Sequence, residues 1–565
     1  MMRYNLSGIG NGMGVGWFSC IPENELDFEA GIKYIKDCPF DQFMHRRLLD
    51  LAGKYEPESL RTFIHEVKEG DFTLLALIYE ACIMNTKFHD LKGEFSNINI
   101  KELSQYTPLI YIDWSSTGTF SQHLYWLRLF SKNINLLNAL PPEEELELPI
   151  PFERDAIDEW QQKVITINAI HKRTKGTTGR PFNKAFNKQI GKKLEQLGIL
   201  SGWETRTDAT ISPFAVERPW NLDITCDNGR NCWRLTGSQT SYGRGLNIHQ
   251  ARISCLMEAV ERYSAFADIG SGRACGYKKD YSLIKARYGD MKNNGLNVLD
   301  PNELCLEVPY KNQELYWMEG EMVDKSGSNA IYVPAQMVFL FSNFDEICLT
   351  SGLSSNGLAA GNSIEEAKLS SILEVIERDA EKVVPYSMER LFLLESEDRK
   401  VADIIGGCKE KGIQIQFLDI TSEFGIPCYK AFIQGPGGIV LKGSAANLDG
   451  RRAVLSAMTE IPYPYPYWFG SMPAPKSIKT ISDEMLPCFS TGVSSDDLGI
   501  IERLMIMNGY KPIYVDLTRK NLDIPVVKTL IPGLEIMTIY DRFTPIGLRQ
   551  FAHYLRADNE SMSGN

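Results

Sequence analysis

Two stretches of the chain repeat one acidic pattern on segments whose periodicity predicts helices. "CLMEAVERYS" (255–264) and "SILEVIERDA" (371–380) each place two glutamates three residues apart, with an arginine directly after the second. All matching positions are separated by 116 residues, without an insertion, which indicates an internal duplication. The matched pairs are Gly245 and Gly361, Ala251 and Ala367, Ser254 and Ser370, Glu258 and Glu374, Glu261 and Glu377, and Arg262 and Arg378.

On a helical wheel, the second stretch gathers its acidic groups on one side. With about 100° of rotation per residue, Ser370, Glu374 and Glu377 all lie within about 80° of Glu366. Because the opposite side is apolar, an ordinary amphipathic surface helix explains the pattern. A cation site also explains it, because like charges one turn apart repel unless they are screened, and carboxylates from two helices suit Mg²⁺. Both interpretations stay open at this point.

Glycine-rich turns precede both predicted helices. "SYGRGL" and "SSNGLAAGNS" allow backbone amides to approach a phosphate, and Arg244 in the first turn is placed to meet one. The usual nucleotide loop is absent, since Gly352 and Gly357 have its spacing but Leu358 stands where a lysine is required. Any use of ATP therefore needs a different type of site.

Composition excludes several classes of protein. The net charge of -12 argues against nucleic acid as the main partner, because phosphate backbones select basic surfaces. None of the twelve cysteines forms a C-x-x-C pair, so a zinc ribbon or thioredoxin-type motif is not expected. No run of apolar residues is long enough to span a membrane, and the N-terminus lacks the apolar core of an export signal. We expect a cytoplasmic protein with no membrane or nucleic-acid partner.

The sequence predicts an α/β (α+β) protein in four regions. Residues 163–194 contain nine Lys or Arg and no Asp or Glu, which indicates either a solvated helix pair or a docking surface for an acidic peptide or partner protein. "TPLIYIDWSS", in the first region, predicts a strand. The regions are a mainly helical N-terminal domain (1–140), an acidic linker followed by a basic helical segment (141–199), a domain of duplicated strand–helix units (200–550) and a C-terminal tail (551–565).

At the repeated glutamates the sequence resembles the YcaO family. The motifs are "SCLMEAVER", "SSNGLAAGNSIEEAKLSSILEVIERDA" and the later "IPVVKTLIPGLE", spread over about residues 200–550. The resemblance implies a site for ATP and Mg²⁺ built from these glutamates, with Arg262 and Arg378 either contacting phosphate or bracing the helices. It implies ATP-binding roles for Ser254, Glu258, Arg262, Asn356 and Arg378, and metal-binding roles for Glu261, Glu366, Glu374 and Glu377. The glycine-rich turn adds Arg244 to the expected ATP-binding residues.

The activity that the resemblance implies is ATP-dependent activation of a peptide backbone amide. A nucleophile adds to the carbonyl, ATP phosphorylates the resulting oxyanion, and phosphate leaves. Sulfide as the nucleophile yields a thioamide, whereas a Cys, Ser or Thr side chain yields an azoline. Two alternatives remain: a sulfur-transfer accessory protein for methylthiolation of a ribosomal protein, and a non-catalytic ATP-binding or substrate-docking scaffold. The expected partners are a peptide or protein substrate, a sulfur-donor protein and a second copy of the chain in a homodimer.

Two features depart from the azoline-forming members of that family. Those members usually end in a P-x-P-x-P tail, whereas this chain ends in "ADNESMSGN", so we expect thioamide formation or a related non-azoline reaction. An internal P-x-P-x-P stands in "EIPYPYPYW", where Tyr463 and Tyr465 occupy the positions of a Gln and an Arg in the family's E-x-x-Q-x-R. Arg452 is a candidate to replace that arginine. No catalytic residue is assigned from the sequence.

Overall fold

The computed structural model describes most of the chain. The described residues are 1–10, 16–67, 71–117, 120–175, 184–207, 214–352, 355–461, 470–536 and 540–563. Strands and helices alternate in the second half of the chain, so the predicted mixed α/β class is confirmed. No helix within these ranges is both long enough and apolar enough to cross a membrane.

The N-terminal region consists of a hairpin followed by helices. Its elements are β1 (Met2–Gly10), β2 (Gly16–Pro22), α1 (Phe28–Asp37), α2 (Gln42–Ala52), α3 (Pro57–Glu66), α4 (Phe72–Met84), α5 (Ile100–Leu103), α6 (Tyr111–Ser115) and α7 (Phe120–Leu136). Asp27, Asp41 and Asp71 begin α1, α2 and α4, because each carboxylate accepts a hydrogen bond from a backbone N–H of the first turn. The strand predicted at "TPLIYIDWSS" is wrong, since α6 lies there; a short buried apolar run does not reveal its period.

The first sheet combines the N-terminal hairpin with strands from the middle of the chain. Those later strands are β3 (Thr205–Thr207), β4 (Phe214–Asn228), β5 (Asn231–Gly245), β6 (Asp268–Gly270), β7 (Arg273–Cys275) and β8 (Tyr281–Ser282). The order is β2–β1–β5–β4–β6–β7–β8, with β3 paired to β4. β1 runs parallel to β5, with Tyr4 opposite Leu235. Strands β1 and β2 therefore belong to the same sheet as strands from the region predicted as 200–550.

Two further sheets are formed by the rest of the strands. These are β9 (Ile284–Arg287), β10 (Glu314–Asp324), β11 (Gly327–Pro334), β12 (Leu358–Ala360), β13 (Leu391–Glu395), β14 (Gln416–Asp419), β15 (Cys428–Gln434), β16 (Val440–Ala446), β17 (Lys479–Ser482), β18 (Ile513–Asp516) and β19 (Val526–Leu530). The second sheet has the order β11–β10–β18–β19–β12, with β9 paired to β10, and the third has the order β16–β15–β14–β13–β17.

Helix α13 lies between these two sheets. The later helices are α8 (Arg154–Lys163), α9 (Ile167–Ile170), α10 (Lys184–Gln196), α11 (Ile248–Ala265), α12 (Tyr288–Asn293), α13 (Ile364–Val383), α14 (Arg399–Glu410), α15 (Gly450–Glu460), α16 (Ser494–Met507) and α17 (Leu548–Ser563). α13 contacts β12 and β19 of the second sheet, β15 and β16 of the third, and helices α16 and α17. Ile372, Ile376 and Ala380 are almost fully buried, so α13 is a core helix.

Candidate active site between the two acidic helices

Helices α11 and α13 pack on the same two strands, β12 and β19. The start of each helix is stabilised by a side-chain cap. The carboxamide of Asn247 accepts hydrogen bonds from the backbone N–H groups of His249 and Gln250, and the hydroxyl of Ser363 accepts one from Glu366. The two repeated segments are thus brought to one place, above neighbouring strands of the second sheet.

The matched glycines Gly245 and Gly361 make equivalent contacts. A Cβ on Gly245 would lie 3.1 Å from the backbone nitrogen of Ala251, and a Cβ on Gly361 would lie 2.4 Å from that of Ala367. In both copies the end of a strand therefore lies against the first turn of the helix that follows, at a distance that excludes a side chain. Part of the repeat is explained by this strand–helix packing.

Glutamates from the two helices face each other. Desolvation raises the pKa of Glu261 on α11 well above its usual range, and nearby Glu374 on α13 raises it further. Desolvation also raises the pKa of Glu374 and of Glu377, which is only 8% exposed. One carboxylate oxygen of Glu377, Oε1, accepts no hydrogen bond and has only an ion pair with Arg378. Because Glu377 is buried, a solvated surface face does not explain this part of the pattern.

The two matched arginines lie beside glutamates of their own helices. The guanidinium of Arg262 is 3.7 Å from Glu261 and 3.8 Å from Glu258. That of Arg378 is 3.2 Å from Oε1 of Glu377. Each arginine thus offsets part of the negative charge of the cluster and points its donors toward the carboxylates that converge there.

Arg244 and Glu258 border the cluster through contacts with the backbone. Nη1 of Arg244 donates to the carbonyl of Glu460 at 2.7 Å and to that of Ile461 at 3.1 Å. The carboxylate of Glu258 accepts a hydrogen bond of 2.7 Å from the backbone N–H of Tyr242. These bonds connect β5 to both α11 and the end of α15.

Three further residues were predicted to bind the nucleotide or the metal: Asn356, Ser254 and Glu366. The side-chain amide of Asn356 donates to the backbone carbonyls of Glu535 and Ile536. Ser254 is exposed on α11. Both oxygens of Glu366 accept hydrogen bonds of 3.1 Å from the Asn362 amide, and Glu366 precedes Glu374 by eight residues, or about 12 Å along the helix axis.

Lys528 is a member of the cluster that sequence reasoning missed. It lies on β19, is 5% exposed, and its ammonium donates to the backbone carbonyl of Asn356. Burial lowers its pKa to about 8, although Glu374 and Glu261 act in the opposite direction. Lys528, Asn356 and Val375 also line a small cavity of about 30 Å³. The feature of the sequence that could have indicated this role is a lysine inside the apolar strand "VVKTL".

A second group that was missed lies beside Arg378. Glu381, one turn after Glu377, accepts hydrogen bonds from Arg378 at 3.1 Å and from the Ser444 hydroxyl at 3.0 Å. Although burial opposes its ionisation, nearby cations hold the pKa of Glu381 at about 2. These cations are Lys430, Arg378 and Lys442. Glu381 falls on the same face of the helical wheel as Glu377. This shared face was the one feature of the sequence that could have indicated a role for Glu381 in the cluster.

The carboxylates of the cluster are oxygen ligands of the type that Mg²⁺ prefers. Among the described residues, no three or more His, Cys, Asp or Glu side chains are grouped as a ready-made metal site. Mg²⁺ commonly takes one or two carboxylates and completes its shell with water and phosphate oxygens. Crowded carboxylates with raised pKa values are stabilised by a cation, so the residues present fit a magnesium nucleotide better than a bare ion.

Three residues were singled out by comparison with the E-x-x-Q-x-R motif of the family: Tyr463, Tyr465 and Arg452. Tyr463 and Tyr465 lie outside the described residues. Arg452, the candidate replacement for the family's arginine, forms an ion pair of 3.5 Å with Asp449 in the first turn of α15.

The middle of the chain matches the model of a known protein family. Residues 242–462 match the family model of YcaO, described as a YcaO cyclodehydratase that binds ATP and Mg²⁺. The match begins in β5 and includes α11, α13 and α15, which hold every glutamate of the cluster. Residues 242–462 therefore match the family that the motifs of this chain resemble.

Several individual proteins are similar over longer stretches. An uncharacterized protein of Methanothermobacter thermautotrophicus is 29% identical over 397 residues, which cover 62% of this chain and 94% of that protein. An uncharacterized protein from the tfuA 3′ region of Rhizobium leguminosarum bv. trifolii is 27% identical over 236 residues, or 39% of this chain and 53% of that protein.

Solved structures with related folds include two with bound ligands. The YcaO protein of Methanopyrus kandleri bound with AMPPCP and Mg²⁺ superimposes with a TM-score of 0.44 at 22% identity, over 65% of this chain and 95% of that one. A heterocyclase in complex with substrate and cofactor gives a TM-score of 0.47 at 18% identity, over 62% of this chain and 52% of that one.

Proposed function

We propose that the two acidic helices bind ATP with Mg²⁺ and that the enzyme activates a peptide backbone amide for nucleophilic substitution. The main support is the convergence of Glu261 and Glu374 from separate helices, where desolvation and mutual repulsion raise the pKa of Glu261. The proposed metal residues are Glu261, Glu366, Glu374 and Glu377, and the proposed nucleotide residues are Arg244, Ser254, Glu258, Arg262, Asn356 and Arg378.

Each group has a chemical task in this arrangement. The glutamates supply oxygen ligands, which Mg²⁺ prefers, while Arg262 and Arg378 supply guanidinium donors for phosphate oxygens. Lys528 adds a cation between the two helices and compensates part of the charge of the glutamates. When bound, the magnesium nucleotide supplies the phosphoryl group that converts the amide oxygen into a leaving group.

For the product, we propose a thioamide or a related non-azoline modification, with sulfide delivered by a sulfur-donor partner. The support is the resemblance: the P-x-P-x-P of this chain lies internally, at residues 462–466, whereas azoline-forming members usually carry it as a C-terminal tail. The family description, cyclodehydratase, favours azoline formation as the second candidate.

Isosteric glutamine variants test the nucleotide site. Glu374→Gln and Glu377→Gln each remove one charge from the cluster without changing its shape. We expect each variant to bind a non-hydrolysable ATP analogue with Mg²⁺ at least about tenfold more weakly in calorimetry, because charge-assisted contacts contribute about 1.5–3 kcal/mol. Glu365→Gln is the matched control, since Glu365 points about 180° away from Glu374 on the same helix. Unchanged binding by both cluster variants would contradict the site.

The product is tested separately by mass spectrometry. With ATP, sulfide and a peptide substrate, replacement of oxygen by sulfur in the peptide indicates a thioamide. Loss of water indicates an azoline, and ATP binding without turnover under all conditions indicates a scaffold.

A further inference from the structure

A second cleft, separate from the glutamate cluster, lies on the third sheet. It has a volume of about 430 Å³ and is lined by Phe392, Tyr429, Arg173, Arg390 and Lys479, among others. Its size is that of a site for a ligand or several peptide side chains. We call it the Tyr429 cleft.

The Tyr429 cleft and the glutamate cluster lie on opposite faces of the third sheet. Successive side chains of a strand point to opposite faces, and Tyr429 is followed in β15 by Lys430. Lys430 faces α13, where it lowers the pKa of Glu381. Tyr429 therefore faces away from α13, and a ligand in its cleft does not occupy the proposed nucleotide site.

Cations outnumber anions in the lining. Arg173, Arg390 and Lys479 face two acidic residues, Glu389 and Asp419. Both acidic residues already accept hydrogen bonds from close neighbours, Glu389 from the Ser387 hydroxyl and Asp419 from the backbone N–H of Thr421. The lining therefore carries one more positive than negative charge, and this excess favours a ligand with negative charge.

The chain around Arg173 is anchored at the cleft. The backbone N–H of Ile167 donates to the carbonyl of Phe424 at 2.8 Å, and that of Thr174 donates to the carbonyl of Cys488 at 2.8 Å. Arg173 itself is exposed and lies close enough to influence the pKa of Tyr429, which burial and Asp419 raise and Arg173 lowers. The basic segment recognised in the sequence therefore contributes an exposed cation to a defined cleft.

Strand β17 forms one side of the cleft and is an edge strand. It pairs in parallel with β13, with Lys479 opposite Phe392 and Ile481 opposite Leu394. Among the described strands, none pairs with its other edge. The unpaired edge offers backbone donors and acceptors to an extended chain, and alternate side chains of such a chain would face Lys479, Ile481 and the exposed Met485.

We propose that the Tyr429 cleft binds an extended peptide segment with acidic side chains, which adds to β17 as a further strand. Acidic side chains of the segment pair with Arg173 and Lys479, and apolar ones pack on Ile481. Within the proposed function this segment is the recognition part of the peptide substrate, held apart from the amide that reacts. Only that last identification rests on the proposed function, since the binding itself needs no nucleotide.

Fluorescence anisotropy with designed peptides tests the proposal on the full-length protein without nucleotide. The probe is a fluorescein-labelled decapeptide of alternating Thr and Glu or Ile, and the matched peptide has Gln at every Glu position. We expect the Glu peptide to bind at least about tenfold more tightly than the Gln peptide, with an affinity that falls as salt rises. Arg173→Glu with Lys479→Glu should remove this preference, and a peptide with Lys in place of Glu should bind the double variant.

The control variant is Lys325→Glu, which reverses one exposed charge in the β10–β11 turn, outside the cleft. It should leave the affinity for the Glu peptide unchanged. Equal binding of the Glu and Gln peptides, or no binding of either, would overturn the proposal. So would displacement of the Glu peptide by a magnesium ATP analogue, because the peptide would then occupy the glutamate cluster. Nucleotide binding is measured independently, so failure here is distinguishable from failure of the proposed function.

Discussion

Replacement of Gly361 by alanine should separate α13 from the sheet that positions it. The added Cβ would lie 2.4 Å from the nitrogen and 2.9 Å from the Cα of Ala367. These are backbone atoms, which have no rotamer to change, so the strand end and the helix must move apart by about 1 Å to reach normal contact. Overpacking of this kind costs about 1–3 kcal/mol, and we expect a loss near the upper end of this range.

The same substitution, glycine to alanine, should have the opposite effect on stability at Gly406. Gly406 lies within α14, and a Cβ there would meet no atom within 4 Å. Alanine in a helix loses less conformational freedom on folding than glycine does, so Gly406→Ala should stabilise the protein by about 0.5–1 kcal/mol. The difference between the two variants therefore isolates the contact of Gly361 with α13 from the general effect of a methyl group.

Urea unfolding and binding of a magnesium ATP analogue measure the two consequences. Gly361→Ala should lower the free energy of unfolding and weaken nucleotide binding, because a shift of α13 moves Glu374 and Glu377 relative to α11. Gly406→Ala should retain normal binding. If Gly361→Ala matched the wild type in both stability and binding, the close strand–helix contact would not position the site.

Two further predictions concern buried charge away from the cluster. Glu80 is fully buried, and burial raises its pKa from 4.5 to about 8. The folded protein therefore holds this proton more tightly than the unfolded chain does. As a result, the free energy of unfolding should fall by about 1.4 kcal/mol per pH unit as the pH rises from 4.5 to about 8. Glu80→Gln should flatten that part of the urea-midpoint profile, and parallel profiles would refute the assignment. Arg549→Met leaves Asp379 and Glu423 without their shared cation and should lower the free energy of unfolding by about 3–5 kcal/mol. Asp379→Asn in the same background should recover part of this loss. A loss below about 1 kcal/mol for Arg549→Met would contradict the prediction.

The sequence was most informative where its pattern repeats. α11 and α13 could be predicted because their periodicity is strong and because their matched positions share one offset of 116 residues. The N-caps Asn247 and Ser363 and the close glycine contacts supply the local reasons for that repeat. That Glu261 and Glu374 face each other was inferred from the family resemblance. Neither segment contains a local sequence pattern that predicts packing of both helices on the same strands.

The parts that could not be predicted depend on long-range pairing. Tyr4 lies opposite Leu235 in a parallel pair of strands, and no local signal connects residues so far apart. Lys528 enters the cluster only because β19 lies beside β12, which is a property of strand order. Glu381 lies on the predicted acidic face, yet its low pKa depends on Lys430 and Lys442 from other strands.

The acidic residues of helix α13 have two different roles on opposite faces of the helix. In "SILEVIERDA" the glutamates point to the cluster, whereas Asp379 points about 140° away from Glu374 and is completely buried. Both oxygens of Asp379 accept hydrogen bonds of 2.6 Å from Arg549 of α17, and one also accepts the backbone N–H of Glu535. A bidentate bond to an arginine fixes orientation as well as distance. The clamp on one face of α13 therefore fixes the rotation at which the opposite face presents its glutamates, so Arg549 of α17 influences their orientation from the far side of the helix.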